Sequence, residues 1–421
     1  DKKYRYLPLY SVSGLWRISQ EPFMANAKWI DNLVVRASYG LQGNIDKNTS
    51  PYLLGNYRIE NIQPGGSEDM IDVSGAPNKK LRWEKTHSVN AGFDFAVLNQ
   101  AINLSVDYYY RKGVDLIGTQ MLPLETGFEM LTVNWASMQN QGVEVALSTR
   151  NIHTKNFMWT TNFNFAYNNN KILKEALRED ALEPGREGYP VGALFALKTA
   201  GLDEEGYPMF EGKDGKAVSA MEFFKLQEWG FGATDLTARE RRELYTYVGT
   251  ADCPYTGGFN NTFTYKAFEL GVNFSFDFGG KVRSQPTYSI VDFDKGRNTN
   301  RDILNRWTPE NTETIFPVLL SQNERLDEYM WYSNQNEIYR NLDIWIRDLN
   351  YVRLQNIRLG YTLPTNFTRT LGMTSATVAI EGRNLLVFGS SYKNYLDPET
   401  MSNAYATPAP KSVTLSLNLI F

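Results

Sequence analysis

Apolar and polar residues alternate with a period of two along eleven stretches of the chain, the pattern of strands whose two faces meet different surroundings. In Lys411–Phe421, Val413, Leu415, Leu417, Leu419 and Phe421 fall on one parity, and Ser412, Thr414, Ser416 and Asn418 on the other. That stretch has the length of a tilted membrane-crossing strand, about 9–11 residues. The same alternation predicts strands at Tyr10–Ile18, Asn32–Gln42, Arg82–Val97, Ala101–Arg111, Gln141–Thr149, Phe157–Asn168, Gly257–Tyr265, Phe268–Phe278, Tyr351–Leu363 and Ala376–Leu386. It is clearest in Phe268–Phe278, where Phe268, Leu270, Val272, Phe274, Phe276 and Phe278 oppose Glu269, Gly271, Asn273, Ser275 and Asp277.

Between these stretches, short connections alternate with long ones. Leu98–Gln100 and Lys266–Ala267 are tight turns, whereas 43–80, 112–138, 169–256, 279–350 and 387–410 are long and hold no sustained period, apart from a helix expected around Thr237–Tyr245. Outer-membrane barrels sort their connections this way, short on the periplasmic side and long outside; a soluble sandwich has no reason to. The expected fold is therefore all-β, a transmembrane antiparallel β-barrel with its apolar parity toward lipid, its polar parity toward the lumen and the five long segments extracellular. An odd number of strands leaves an unpaired edge, which lipid does not tolerate. The chain thus reads as the C-terminal portion of one larger barrel domain, and its opening, DKKYRYLPLY, reads as mid-protein because it has no signal-peptide features.

Composition narrows the partners. Aromatic residues make up 14% of the chain, which suits interfacial girdles and sugar-binding surfaces alike. A mean hydropathy of -0.42, with no apolar run of helix-spanning length, excludes transmembrane helices and leaves a barrel open. The net charge of -4 and the absence of a Lys/Arg run give no footprint for nucleic acid. Cys253 is the single cysteine, so no intrachain disulfide can form.

For catalysis the chain offers His87 and His153, and no HExxH, GxSxG, P-loop or CxxC pattern, so an enzyme is not expected. The acidic turns near Asp203 and Asp214 lack the spaced ligands of a calcium loop, and no metal or cofactor is expected. Arg36, Glu84, Asp107, Arg111, Glu144, Glu269, Asp277, Arg358, Glu381 and Arg383 share the polar parity and are the candidate lumen-facing residues. Most are expected to pair with one another or with material filling the lumen, and a minority near the outer end to meet cargo. Trp307, Tyr329, Trp331, Tyr332 and Trp345 are the candidate substrate or lid contacts in the long segments, since flat rings stack on sugars and pack on peptides.

Nine stretches resemble the C-terminal barrel of SusC/RagA-type TonB-dependent outer-membrane transporters of Bacteroidota: LWRISQEPFM from Leu15, LVVRASYGLQGN from Leu33, LRWEKTHSVNAGFDF from Leu81, MQNQGVEVAL from Met138, YPVGALFALKTAGLDEEGYPMF from Tyr189, GGFNNTFTYKAFELGVNFSF from Gly257, YVRLQNIRLGYTLP from Tyr351, IEGRNLLVF from Ile380 and the terminal LSLNLIF. The resemblance implies a plugged barrel of about 22 strands, of which these eleven are the second half. It also implies a plug and TonB box upstream, coupling to the TonB complex through that region, and a SusD-like lipoprotein lid on the outer face. The implied activity is import of oligosaccharides, or alternatively peptides, across the outer membrane. By resemblance to outer-membrane proteins, Phe421 would serve as an assembly signal. A glycan-binding all-β protein without transport is the other reading, and solubility without detergent would favour it.

Overall fold

The computed structural model describes residues 6–45, 51–63, 66–128, 130–227, 234–284, 296, 301–319, 341–389, 397–400 and 406–421. In chain order its strands are β1 (Tyr10–Arg17), β2 (Ile30–Asn44), β3 (Leu54–Gln63), β4 (Gly66–Gly75), β5 (Glu84–Val97), β6 (Ile102–Met121), β7 (Met130–His153) and β8 (Phe157–Lys174). Five short ones follow: β9 (Ala193–Leu197), β10 (Thr199–Leu202), β11 (Pro208–Glu211), β12 (Ala217–Val218) and β13 (Tyr245–Thr250). The last are β14 (Tyr255–Tyr265), β15 (Phe268–Arg283), β16 (Ile346–Thr362), β17 (Ser375–Phe388) and β18 (Ser412–Ile420). The chain divides into two compact units: Asp1–Arg150, Asn162–Arg178 and Gly185–Val191 in the first, Asn151–Thr161, Glu179–Pro184 and Gly192–Phe421 in the second.

In the first unit the hydrogen-bonded order is β1-β2-β5-β6-β7-β8; in the second, which takes the opening residues of β8, it is β8-β14-β15-β16-β17-β18. Each of the eleven alternating stretches is one of these strands. Register keeps like with like: Leu33, Phe95, Leu104 and Leu147 stand side by side across β2, β5, β6 and β7, and Phe259, Phe274, Leu354 and Leu386 across β14 to β17. Val35, Tyr39, Phe93 and Tyr108 in the first unit, and Phe259, Phe268, Leu359, Ile380 and Leu415 in the second, stay exposed on this parity. A contiguous exposed apolar face of that kind is rare on soluble proteins and is what a strand shows to lipid. Asn261 shares the apolar parity with Phe259 and Phe263, and it is buried and satisfied: its Oδ1 accepts from Trp159 Nε1 at 2.9 Å and Thr161 Oγ1 at 2.7 Å.

Strands run further than the alternation predicts toward the long connections. Most of 112–138, expected as a loop, continues the strands, with β6 running to Met121 and β7 starting at Met130. A bulge between Gly113 and Leu116, with Asp115 at a φ of 57°, breaks the parity there and hides the continuation. Within 43–80, expected as irregular, β3 and β4 form a hairpin with Tyr57 opposite Ile71. The expected helix is present at Ala238–Glu243, started by a capping box in which Thr237 and Glu240 satisfy each other's backbone N–H.

The two longest segments hold more order than their sequence suggests. In the second unit, β9 pairs with β13, β10 to β12 form a small sheet, and Leu197, Phe210, Phe224, Leu342 and Trp345 make a buried core. The Phe210 ring stacks on Phe223 at 4.7 Å and meets Phe224 edge-on at 5.3 Å.

The lipid assignment of the apolar face is tested by moving one charge across the sheet. Phe274→Arg in the full-length protein is expected to cost about 2–4 kcal/mol, and Thr262→Arg on the polar parity under about 1 kcal/mol, read as folded, heat-modifiable barrel on a gel. Equal losses would remove the assignment.

Candidate functional site

On the polar face of the first unit, Arg36 of β2 reaches over β5 to β6. Its Nη2 donates to Asp107 Oδ2 at 2.7 Å, Ser105 Oγ at 3.0 Å and Asp94 Oδ1 at 3.2 Å, and Ser105 Oγ donates to Asp94 at 2.7 Å. Gly92 makes this crossing possible. It stands opposite both Arg36 and Asp107, and a Cβ there would lie 2.2 Å from Asp107 Oδ1. Glu144, exposed, is opposite Asp107, so three carboxylates and one guanidinium share the patch. Half-exposed ion pairs contribute roughly 0–1 kcal/mol, so the cluster is a charged surface more than a staple.

Two further candidates on this unit act locally. Arg111 lies 5.3 Å from the Tyr109 ring centroid, and Tyr109 donates its hydroxyl to Asn168. Glu84 is a brace, accepting from Asn44 Nδ2 and from the backbone N–H of Ile117, both at 2.8 Å.

On the second unit, Arg358 pairs with Glu269 at 3.1 Å and stands opposite Glu381, which pairs with Arg383 at 2.5 Å. Asp277 stands opposite Tyr351. Beside them lies a residue the alternation misses. Arg353 shares its parity with Ile357, Leu359 and Tyr361 and would face lipid, but a bulge at Gln355 turns it to the polar face, opposite Ser275.

There Arg353 is 1% exposed. Its Nη2 donates to Asp397 Oδ1 and its Nε to Glu399 Oε1 at 2.8 Å, while Tyr351 Oη reaches Glu399 at 3.4 Å. Asp397 also accepts from the backbone N–H of Glu399 and of Ala409, each at 3.1 Å. Burial works to raise the Asp397 pKa, and the Arg353 guanidinium with these N–H groups outweighs it, holding the carboxyl below the usual carboxylate range. A piece of the segment 387–410 is thereby fastened to the polar face of β16.

The aromatic candidates fare differently. Trp345 is fully buried in the core of the long segments, against Phe316 at 5.9 Å, and cannot be a cargo contact; its place beside a short helical turn, Asp343–Trp345, gives no such sign in sequence. Trp307 is half-buried over Gly206, whose φ of 87° and lack of a side chain let the indole lie where a Cβ would sit 2.5 Å away. Tyr329, Trp331 and Tyr332 lie outside the described residues. Phe421 follows β18 and is exposed. Asp203 and Asp214 use carboxylate oxygens to accept turn N–H groups of Glu205, Tyr207 and Lys216. A cleft of about 770 Å³ lined in part by Asp214 carries both signs of charge, with Lys198 paired to Glu211, Lys216 to Asp214 and Lys225 to Glu240.

Removing the buried cation tests the Arg353 anchor. Arg353→Met is expected to cost about 3–5 kcal/mol by leaving Asp397 uncompensated, and adding Asp397→Asn should recover part of it, read by thermal unfolding and by amide exchange at 397–400. The Asp397 pKa is lowered on folding, so its stabilising contribution is complete above the ordinary value of 3.8 and is lost as pH falls through the lower folded value. Amide protection at Glu399 and Ala409 should therefore persist at pH 5 and fail only in stronger acid.

Residues 3–194 match the family model described as TonB dependent receptor-like, beta-barrel. Over its whole length the chain is 27% identical to TonB-dependent receptor P3 of Formosa agariphila, covering 42% of that protein, and 25% identical to TonB-dependent receptor SusC of Bacteroides thetaiotaomicron, covering 40%. The chain thus spans about two fifths of the length of these curated relatives. Its fold matches the solved structure of the RagAB peptide transporter with a TM-score of 0.74 at 24% identity, over 98% of this chain and 43% of that one. Alternating strands, an exposed apolar face and a charged opposite face agree with these likenesses: residues 3–194 match the β-barrel family of TonB-dependent receptors, and the whole chain is similar to a part of such receptors.

Proposed function

We propose that the protein containing this chain imports oligosaccharides across the outer membrane, driven through TonB and working with a SusD-like surface lipoprotein at the long connections. The observation that carries the reading is whole-chain similarity to TonB-dependent receptors, in a segment whose polar face holds ionic clusters on strands. The remaining N-terminal part of the barrel, with its plug, supplies the coupling. On this chain, Arg36, Asp107, Glu144, Arg358 and Glu381 line the route, and the segments around Trp307 meet the cargo or the lid.

Peptide cargo is the second reading, and two observations favour it. Trp345 is committed to the core and Trp307 to Gly206, which takes two flat rings away from sugar stacking. The polar face and the cleft beside Asp214 offer both signs of charge, which suit a zwitterionic peptide better than a neutral glycan.

Uptake by cells carrying the full-length protein and its lipoprotein separates these. Fluorescent oligosaccharide is expected to accumulate in the periplasm and to stop when the inner membrane is depolarised. Accumulation of labelled peptide alone would replace the first reading by the second, and accumulation of neither, with the barrel folded, would overturn import.

A further inference from the structure

The apolar face of the first unit changes character toward the long connections. In register, Tyr39 stands beside Val89 and Tyr110; one pair further out, Leu41 stands beside His87, Lys112 and Gln139. All of these share the parity of Phe93, Val106 and Val143, so the face ends in tyrosines with cationic and amide groups above them. Tyr39 Oη and His87 Nδ1 are 2.9 Å apart with their rings stacked at 6.3 Å, and Tyr110 donates to Gln139 at 3.4 Å. In the tautomer whose Nδ1 accepts from the Tyr39 hydroxyl, a neutral His87 carries its proton on Nε2.

Charge accumulates just beyond. Lys85, two residues from His87 on the same face, pairs with Asp115 at 3.3 Å, a carboxylate that Arg82 also reaches at 2.6 Å. Glu84 is on the opposite parity and engaged with Asn44 and Ile117. Lys112 has no ion-pair partner among the described residues. On the lipid face of a barrel a lysine costs about 2–4 kcal/mol at the midplane and roughly 0–1 kcal/mol at the interface, and tyrosine girdles mark that interface. Lys112 stands two residues beyond Tyr110 on this face, where a lysine stem can lie on apolar surface while its ammonium reaches headgroup depth.

We propose that Lys112, with Lys85 and His87, forms a phosphate site for an anionic lipid of the outer leaflet, held against the outside of the barrel. The site rests on the reading that the long connections face out of the cell. Register sets Lys112 directly between His87 and Gln139, so an ammonium stands beside an imidazole and an amide on adjacent strands, and a headgroup phosphate would supply it with a counter-charge.

The test uses the full-length transporter in nanodiscs containing either bisphosphorylated lipid A or its dephosphorylated form, with lipid retention after detergent extraction counted by native mass spectrometry. Wild type is expected to retain the phosphorylated lipid preferentially, Lys112→Gln to bind it about fivefold more weakly, Lys112→Arg to restore it, and millimolar inorganic phosphate not to displace it. Unchanged retention in Lys112→Gln, loss in both variants, or displacement by inorganic phosphate would each overturn the site. Impermeant thiol labelling of Glu125→Cys on intact cells tests the orientation apart from the site: labelling supports it, and protection would overturn the outer-leaflet assignment whatever the lipid count.

Discussion

A strand in lipid has no water to satisfy its backbone, so every N–H and C=O along the membrane must be paired to a neighbouring strand. That single demand accounts for most of the architecture described here. It forces long antiparallel pairing, fixes register by pitting apolar against apolar, and leaves side-chain parity as the variable that decides what each face does. Where a polar group does sit on the apolar face, as Asn261 does, its oxygen is taken up by Trp159 and Thr161 instead of being left to hydrocarbon.

The opposite face works under a different constraint. It is wet, so ion pairs such as Arg358–Glu269 are cheap to form and contribute little to stability. Arg353 is the exception. Removing a guanidinium from water costs several kcal/mol, and it is tolerated because Asp397 and Glu399 both accept from it while backbone N–H groups fill the remaining oxygens of Asp397. The consequence is positional: residues 397–400 have one seat on β16, fixed by a network that works only when all its members are present.

Sequence and structure agree where the signal is local. Period-two alternation needs only neighbours, and Phe268–Phe278 or Ser412–Ile420 could be drawn from it almost residue by residue. The misses share a non-local or parity-breaking cause. The hydrophobic core of the long segments is assembled from Leu197, Phe210, Phe224 and Leu342, spread over short runs that carry no period. Trp345 looked available because aromatic identity says nothing about what packs on it. Arg353 was hidden by the bulge at Gln355, and the passage at Gly92 could not be seen until Arg36 and Asp107 were known to stand on either side of it.

The bulge at Gln355 has a meaning for how such a wall can diverge. A substitution alters one side chain, whereas one residue gained or lost within a strand exchanges inside and outside for everything beyond it. The first part of β16 presents Arg353 and Tyr351 on the polar face because of that one residue. A barrel lineage can thus reassign the chemistry of a whole rim by a change of length, with the amino acids themselves left as they were.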